Sequence, residues 1–527
     1  MYNGEQVLQS TNHERNQSNS DAKSLALEIG TRHMTAGDQR NRRPHQYQVD
    51  YSFIAAGNNT DKLQQSQFTA VEDPSQNKLF DRRYNMRSND VKQHLGTTIG
   101  DLSIWLFGRL LRSMRMELYN SLDVNTHHET NEVADKDKSK DTYILNRYLT
   151  NDSRYTILDE KPALNLNRSF SKWLPNRYSK NWSIQLSAQA QFYQLQNHSD
   201  RDFQNINRSY RRFIPTADIS YSNYQMGAFV DNYTMKFAAS SQYPTASQLV
   251  PLVDSANQYY IQYGNVALKP ADKKELSFGF NHFTIDRHSD FNYNLGVDIG
   301  MINNSFADSS ITDQQGRSRH YLVNANGNRY LNGRGNVSKS FKLKEHQLQV
   351  SANTFIQINS TPNNIGGIWN TSNNRISNSQ LQLYYSFKDI FSAILVQRFS
   401  WYHAKQDGIN ANELRNRTNE TSFSASANCT KRLSLSSNIN LNQSKASQSR
   451  AINFTIWNAY ASYRFMKGNN LELKLSALDL LHQNTSIINY GSANIIRYGT
   501  TSVLQQYFMV GIGWYPRKFG KRNAEME

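Results

Sequence analysis

Apolar and polar side chains alternate along much of this chain with a period of two. From Trp182 the apolar phase runs Trp182, Ile184, Leu186, Ala188, Ala190 and Phe192, with Ser183, Gln185, Ser187, Gln189 and Gln191 between them. A period of two sends these sets to opposite faces of one β-strand. The run is longer than the usual strand of about 5–6 residues and reaches the about 9–11 that a tilted strand needs to cross a bilayer. Leu433, Leu435, Ile439 and Leu441 repeat the pattern against Ser434, Ser436, Asn438 and Asn440. Leu471, Leu473 and Leu475 repeat it against Glu472, Lys474 and Ser476. Phe278 and Phe280 share a phase, as do Tyr293, Leu295, Val297, Ile299 and Met301. Segments of this kind number roughly 18–22, within the range of transmembrane barrels.

The connections are lopsided. Short turns are read at Lys342-Leu-Lys-Glu345, Lys431-Arg432 and Met466-Lys-Gly-Asn-Asn470, and long polar connections at 127–142, 198–210, 243–273 and 366–375. Short turns on one side and long loops on the other are the asymmetry of an outer-membrane barrel. Residues 99–122 read either as a basic amphipathic helix or as two strands with a tight turn near Arg112–Arg115; the β context favours strands. Within 243–273, Thr245 or Ser247 is placed to cap a brief helical turn through Gln248-Leu-Val, with Gly264 permitting a tight return. The expected fold is all-β: one large antiparallel transmembrane β-barrel over 1–517, open to incompleteness at its N-terminal end, followed by a polar tail at 518–527.

Composition agrees with a wet lumen. Only 38% of residues are hydrophobic and mean hydropathy is -0.73, yet there are 30 Tyr, 25 Phe and 7 Trp. A barrel needs apolar residues on its outward face alone, with aromatic girdles at both interfaces. A disordered chain would be poor in aromatics. The net charge of +16 is spread along the whole length, which argues against nucleic acid and for a surface bearing anionic lipid headgroups. No run approaches 18 consecutive apolar residues, so no transmembrane helix is read. Met1-Tyr-Asn-Gly-Glu-Gln shows neither a basic n-region nor an apolar h-region.

Candidate chemistry is thin. His127-His128 with Glu129, Glu132, Asp135 and Asp137 resembles a metal cluster, but adjacent residues of an extended segment point opposite ways, and Lys136, Lys138 and Lys140 interleave. A solvated mixed-charge loop is the expected account. Cys429, the single cysteine, is read as a small hydrophobe on the lipid side. Gly511 and Gly513 are assigned to a strand, with their small faces toward the lumen or a neighbour. Tyr384, Tyr385, Trp401 and Tyr402 are read as interface anchors. No Walker loop, HExxH, GxSxG or CxxC appears. No catalytic residue, metal site or cofactor is expected, and the ligand-binding residues stay unknown.

Three blocks carry a family resemblance. Phe213-Ile-Pro-Thr-Ala-Asp-Ile-Ser-Tyr221, Tyr243-Pro-Thr-Ala-Ser-Gln-Leu-Val-Pro-Leu-Val-Asp254 and Tyr263-Gly-Asn-Val-Ala-Leu-Lys-Pro270 resemble the TonB-dependent receptor barrel in the form common in Bacteroidetes. The last departs from the family's pattern at Val266, where Pro is usual, and at Ala271, where Glu is usual. Leu475-Ser-Ala-Leu-Asp-Leu-Leu-His-Gln-Asn484 is similar to the penultimate-hairpin motif. Tyr507-Phe-Met-Val-Gly-Ile-Gly-Trp-Tyr515 resembles the final strand.

The resemblance implies an outer-membrane receptor or transporter for a nutrient too large or scarce for porins. It also implies outer-membrane lipid and lipopolysaccharide as partners, and the TonB system through an N-terminal region. No plug domain or TonB-contacting box is read before the first strands. That leaves a second reading, a structural or surface-interaction barrel with no transport role.

Overall fold

The computed structural model describes residues 10–34, 46–70, 78–100, 102–107, 113–137, 139–175, 177–254, 260–285, 290–313, 317–408, 412–447, 450–466, 468–491, 496–501 and 503–515. The tail assigned to 518–527 lies outside them. The chain opens with β1 (Ser10–Met34), β2 (Gln46–Ala70), β3 (Lys78–Ile99), the short helix α1 (Leu102–Phe107) and β4 (Met114–Asp137). Then come β5 (Thr142–Leu145), β6 (Asn151–Glu160), β7 (Ala163–Leu174), β8 (Tyr178–Ser199), β9 (Ile206–Phe213), β10 (Thr216–Gln225) and β11 (Phe229–Gln242). A single helical turn, α2 (Ala246–Leu249), precedes β12 (Tyr260–Tyr263), β13 (Ala271–Thr284), β14 (Asp290–Asn303), β15 (Ser305–Thr312) and β16 (Ser318–Ala325). Seven longer strands follow: β17 (Asn328–Leu343), β18 (His346–Ile365), β19 (Ile368–Phe387), β20 (Phe391–Asp407), β21 (Asn412–Asn428), β22 (Leu433–Ala446) and β23 (Ile452–Phe465). The last are β24 (Leu471–Leu478), β25 (Ser486–Gly491), β26 (Ile496–Thr501) and β27 (Tyr507–Trp514).

Apart from the β25–β26 hairpin, these strands form one 25-stranded sheet. Two of its strand pairs are single strands interrupted by proline. On β4, Leu122 faces Glu160 and Tyr119 faces Ala163, so β6 and β7 keep one register. Pro162 between them has no N–H for the ladder, although its carbonyl still accepts from the Ala190 N–H at 3.0 Å. Pro215 separates β9 from β10 in the same way, with Phe213 facing Ala190 and Thr216 facing Ser187 on β8. With those pairs joined and the short loop strands β5, β12, β15 and β16 set aside, nineteen wall strands remain among the described residues. Each is antiparallel to its neighbour in sequence.

Nineteen is odd, so β1 and β27 run in the same direction. Among the described residues β1 pairs only with β2 and β27 only with β24. The expected closure of one antiparallel barrel is therefore not formed between these two strands. An odd count admits no antiparallel seam between the first and last strands.

Register confirms the outward phase. Ile184 and Leu186 share a face with Ile219 and Ala217. Leu433 and Leu435 face Tyr463 and Ala461, which in turn face Leu473 and Leu475, and Leu471 faces Trp514. Gly511 and Gly513 take the opposite phase, on the polar face. Near the short-turn end the apolar face carries Trp182, Tyr221, Tyr233 and Phe280, ring meeting ring from strand to strand, with Tyr293 on the next strand.

Several sequence expectations need correction. The run from His127 belongs to β4 as far as Asp137, so the loop there is shorter than 127–142. The 198–210 connection shrinks to 200–205, because β8 runs to Ser199 and β9 begins at Ile206. No long loop fills 366–375: β18 and β19 form a hairpin closed by Gly366 and Gly367, both at positive φ (61° and 85°), which suits residues without a Cβ. Between β3 and β4 the short helix α1 stands where strand was favoured over helix; Met114 already starts β4, and Arg112 of the expected tight turn lies outside the described residues. Cys429 is exposed in the turn after β21 rather than on the lipid face. Tyr384 and Tyr402 take the phase opposite to Tyr385 and Trp401, so only the latter two face outward.

Candidate functional site

The polar face of β2, β3, β4, β6, β7 and β8 carries a cluster of ionic groups that meet one another. The alternation that turns Leu95 and Val124 one way turns His94 and Asp123 the other, and the ladder places these two opposite each other. The His94 ring lies between two carboxylates, Nδ1 at 2.7 Å from Asp123 and Nε2 at 3.3 Å from Asp50. Asp50 has room because it lies over Gly96, where a Cβ would stand 2.3 Å from its oxygen. Lys161 bridges Asp159 at 2.7 Å and Asp123 at 3.5 Å, and the Gln191 amide donates to Asp159 at 2.8 Å.

One step along the strands, His127 meets Asp90 at 2.7 Å and Glu129 at 3.4 Å, with its ring stacked on Tyr155. His128 points to the opposite face and meets Asp152 at 2.9 Å. Of the remaining residues in that run, Asp135 is held by Arg82 and Asp137 by Ser139, so the six do not converge on one point. The far side of the same face is amide-rich. Asn281, Asn294, Asn336, Asn353 and Gln380 lie opposite one another in a single row across β13, β14, β17, β18 and β19. Asn294 donates to Asn281 and Asn336 to Asn353. Nearby, Tyr330 lies over Gly300 and its hydroxyl donates to Glu275, which also meets Lys273 at 3.0 Å.

The chain between β11 and β12 folds across this polar face as a strap. Tyr243 stacks on Tyr193 of β8, centroids 3.9 Å apart and planes within 9°. Burial pushes its phenol above the ordinary tyrosine range, and its hydroxyl has no hydrogen-bond partner among the described residues. Thr245 caps α2 as the sequence suggested. Its side chain accepts from the Gln248 N–H at 3.3 Å while the Gln248 side chain accepts from the Thr245 N–H at 3.0 Å, a complete capping box. Leu249 and Val250 then bury against Leu195 and Leu268, with Tyr155 and Ile157 alongside. The Gln204 amide donates to the Val250 carbonyl at 2.9 Å.

Farther on, Leu252 packs against Tyr84, Val133 and Leu149. Asp254 accepts from Arg82 Nη1 at 2.5 Å and from the Tyr84 hydroxyl at 2.7 Å. Gly264 is needed where the chain returns, because a Cβ there would stand 2.2 Å from Pro251 Cδ and 2.4 Å from the Leu249 carbonyl oxygen. The strap thus starts beside β11 and β13 and ends on β3, spanning β8, β6 and β4.

Residues 41–514 match the outer membrane protein beta-barrel family. This chain belongs to that family. It lies in the outer membrane, its apolar face is the lipid face, and its polar face lines the lumen. No curated protein matches it. Among solved structures it resembles the copper transporter OprC (TM-score 0.37, 10% identity, 85% of this chain and 79% of that one). It also resembles the RagAB peptide importer in its open-open state (0.32, 6%, 89% and 71%). The siderophore receptor PirA of Pseudomonas aeruginosa is a third (0.28, 9%, 88% and 78%). At these identities and scores the likenesses carry no weight for function.

No residue was nominated for ligand contact from the sequence, and the lumen residues above were missed. Strand parity was the available signal, because Asp123, His127, Gln191 and Tyr193 share the phase of Gln185. Arg82 and Asp254 left none, being 172 residues apart.

Proposed function

We propose that this barrel is an outer-membrane receptor and transporter of the TonB-dependent type, taking up a nutrient too large or scarce for porins, and that it performs no chemical step of its own. The observation that supports this reading is the strap. Residues 243–254, the block with the family resemblance, are also the segment that folds into the lumen and is held there by Leu249 and Asp254. A lumen narrowed by a fixed strap and lined by carboxylates, imidazoles, amides and stacked tyrosines suits selective capture of a polar solute better than open diffusion.

The test compares a strain lacking this protein with its parent in rich medium, with and without a protonophore. Mass spectrometry follows depletion of solutes too large for porins. Protonophore-sensitive depletion of at least one solute by the parent alone is the expected result. Identical depletion profiles would refute transport and favour a structural or surface-interaction barrel.

A further inference from the structure

The lumen wall is divided by charge. Over β18, β19, β20, β21 and β22 the lumen phase carries amides, hydroxyls and a few apolar side chains, and Arg398 and Glu420 alone are charged. Those two meet each other at 2.6 Å. Every other ionic side chain of these strands, from Arg375 on β19 to Lys445 on β22, takes the outward phase. On the opposite wall, acids and bases crowd together and neutralise one another, as in the set of Asp50, His94, Asp123, Lys161 and Asp159. The strap lies on that ionic side, against β8, β6, β4 and β3. The wall left to a passing solute is the uncharged one.

On this wall Phe355 of β18 shares the lumen phase with Asn353 and Gln357 and stands opposite Asn378 of β19. Phe355 is 40% exposed, and on this face the exposure is to water rather than lipid. Residues directly opposite across a ladder lie about 5 Å apart at Cβ and diagonal ones about 7–8 Å, so the three amides rim the ring. Gln357 and Asn378 make no side-chain hydrogen bond among the described residues. Asn353 accepts one from Asn336 and donates none. An amide offers both donors and acceptors, as a hydroxyl does. An ion drawn onto this wall would give up hydration without meeting a counter-charge, which is unfavourable.

We propose that the solute is uncharged and hydroxyl-rich, and that it is held on β18 and β19 with an apolar face stacked on Phe355 and its hydroxyl groups bonded to Asn353, Gln357 and Asn378. This rests on the reading of the barrel as a receptor and transporter, and narrows its substrate to one class. A flat apolar ring set among uncommitted amides matches a molecule with a face of C–H groups and an edge of hydroxyls. The paired charges of the opposite wall hold that wall together and leave little field for an ionic solute.

The experiment equilibrates the full chain, extracted in detergent, with three probe sets of matched length: neutral cello-, xylo- and malto-oligosaccharides, anionic oligogalacturonates and cationic chitosan oligomers. Mass spectrometry reads what the protein retains. At least one neutral chain should be retained about tenfold over both charged sets, and Phe355→Ala should lower that retention by about tenfold. Phe399→Ala, on the lipid face of β20, should leave it at the wild-type level. Gln357→Glu combined with Asn378→Asp should weaken the neutral probe and admit the cationic one. Heat-modifiable gel migration verifies folding; if Phe355→Ala does not fold, Phe355→Leu replaces it with the same loss expected. Retention of a charged set equal to or above the neutral one would overturn the proposal, as would no neutral retention or an unchanged folded Phe355 variant. In cells, energised depletion of charged solutes alone would overturn it while leaving transport standing. Retention of neutral probes without energised depletion would instead sink transport and leave the binding site.

Discussion

Removing the Asp254 carboxylate tests whether the strap is held in the lumen by its far end. Asp254 accepts from Arg82 at 2.5 Å and from Tyr84 at 2.7 Å; the Arg82 side chain is 6% exposed and that of Asp254 33%. In D254A, Arg82 keeps Asp135 at 2.5 Å, so no buried cation is orphaned and the wall should stand. The loss includes one charge-assisted bond to a nearly buried guanidinium and one hydroxyl donor, together about 3 kcal/mol once the exposure of Asp254 is discounted. Under native conditions the strap's amide exchange would then speed up on the order of a hundredfold. Hydrogen–deuterium exchange of a peptide covering 243–254 in detergent measures this, with a β8 peptide as internal control. Unchanged protection in the strap of a folded variant would refute the reasoning. An equal loss in β8 would mean that Asp254 serves the wall and not the strap.

Gly264→Ala should lower barrel stability by about 1–3 kcal/mol, because the added methyl meets Pro251 and the Leu249 carbonyl. Thr245→Ala should cost about 1 kcal/mol, the worth of a helix cap. Chaotrope midpoints that rank the two the other way round would contradict the packing around the strap. An epitope inserted between Ser139 and Lys140, in the exposed connection after β4, should be labelled on intact cells. Labelling only after the outer membrane is permeabilised would mean that the long-connection end faces the periplasm.

Strand phase was legible wherever one face meets lipid, because only there does the solvent differ between faces. Leu186, Leu435 and Leu473 declared their direction for that reason. Beyond the bilayer both faces are wet, and a strand loses its apolar beat. Thus 127–137 and 368–375 read as loops although the ladder continues through them. Proline misleads less than its reputation suggests: Pro162 and Pro215 each cost the ladder one donor without shifting register. The capped turn at Thr245 was readable because its bonds are local. That its chain then crosses β8, β6 and β4 to meet Arg82 was not, since no short-range pattern encodes a contact over 172 residues.

The lipid-facing assignment of the apolar phase is tested most directly at two adjacent residues of β8. Leu186 is 46% exposed beside Leu166 and Ala217 on the apolar face, whereas Gln185 faces Asn167 and Asp218 on the lumen side. In lipid vesicles under chaotrope titration, Leu186→Arg should cost about 2–4 kcal/mol, the depth-dependent penalty of a cation in hydrocarbon. Gln185→Arg should cost far less, with Asp218 beside it to meet the new charge. Equal losses for the two variants, or a larger loss at Gln185, would contradict the assignment of faces on which the barrel and its lumen both rest.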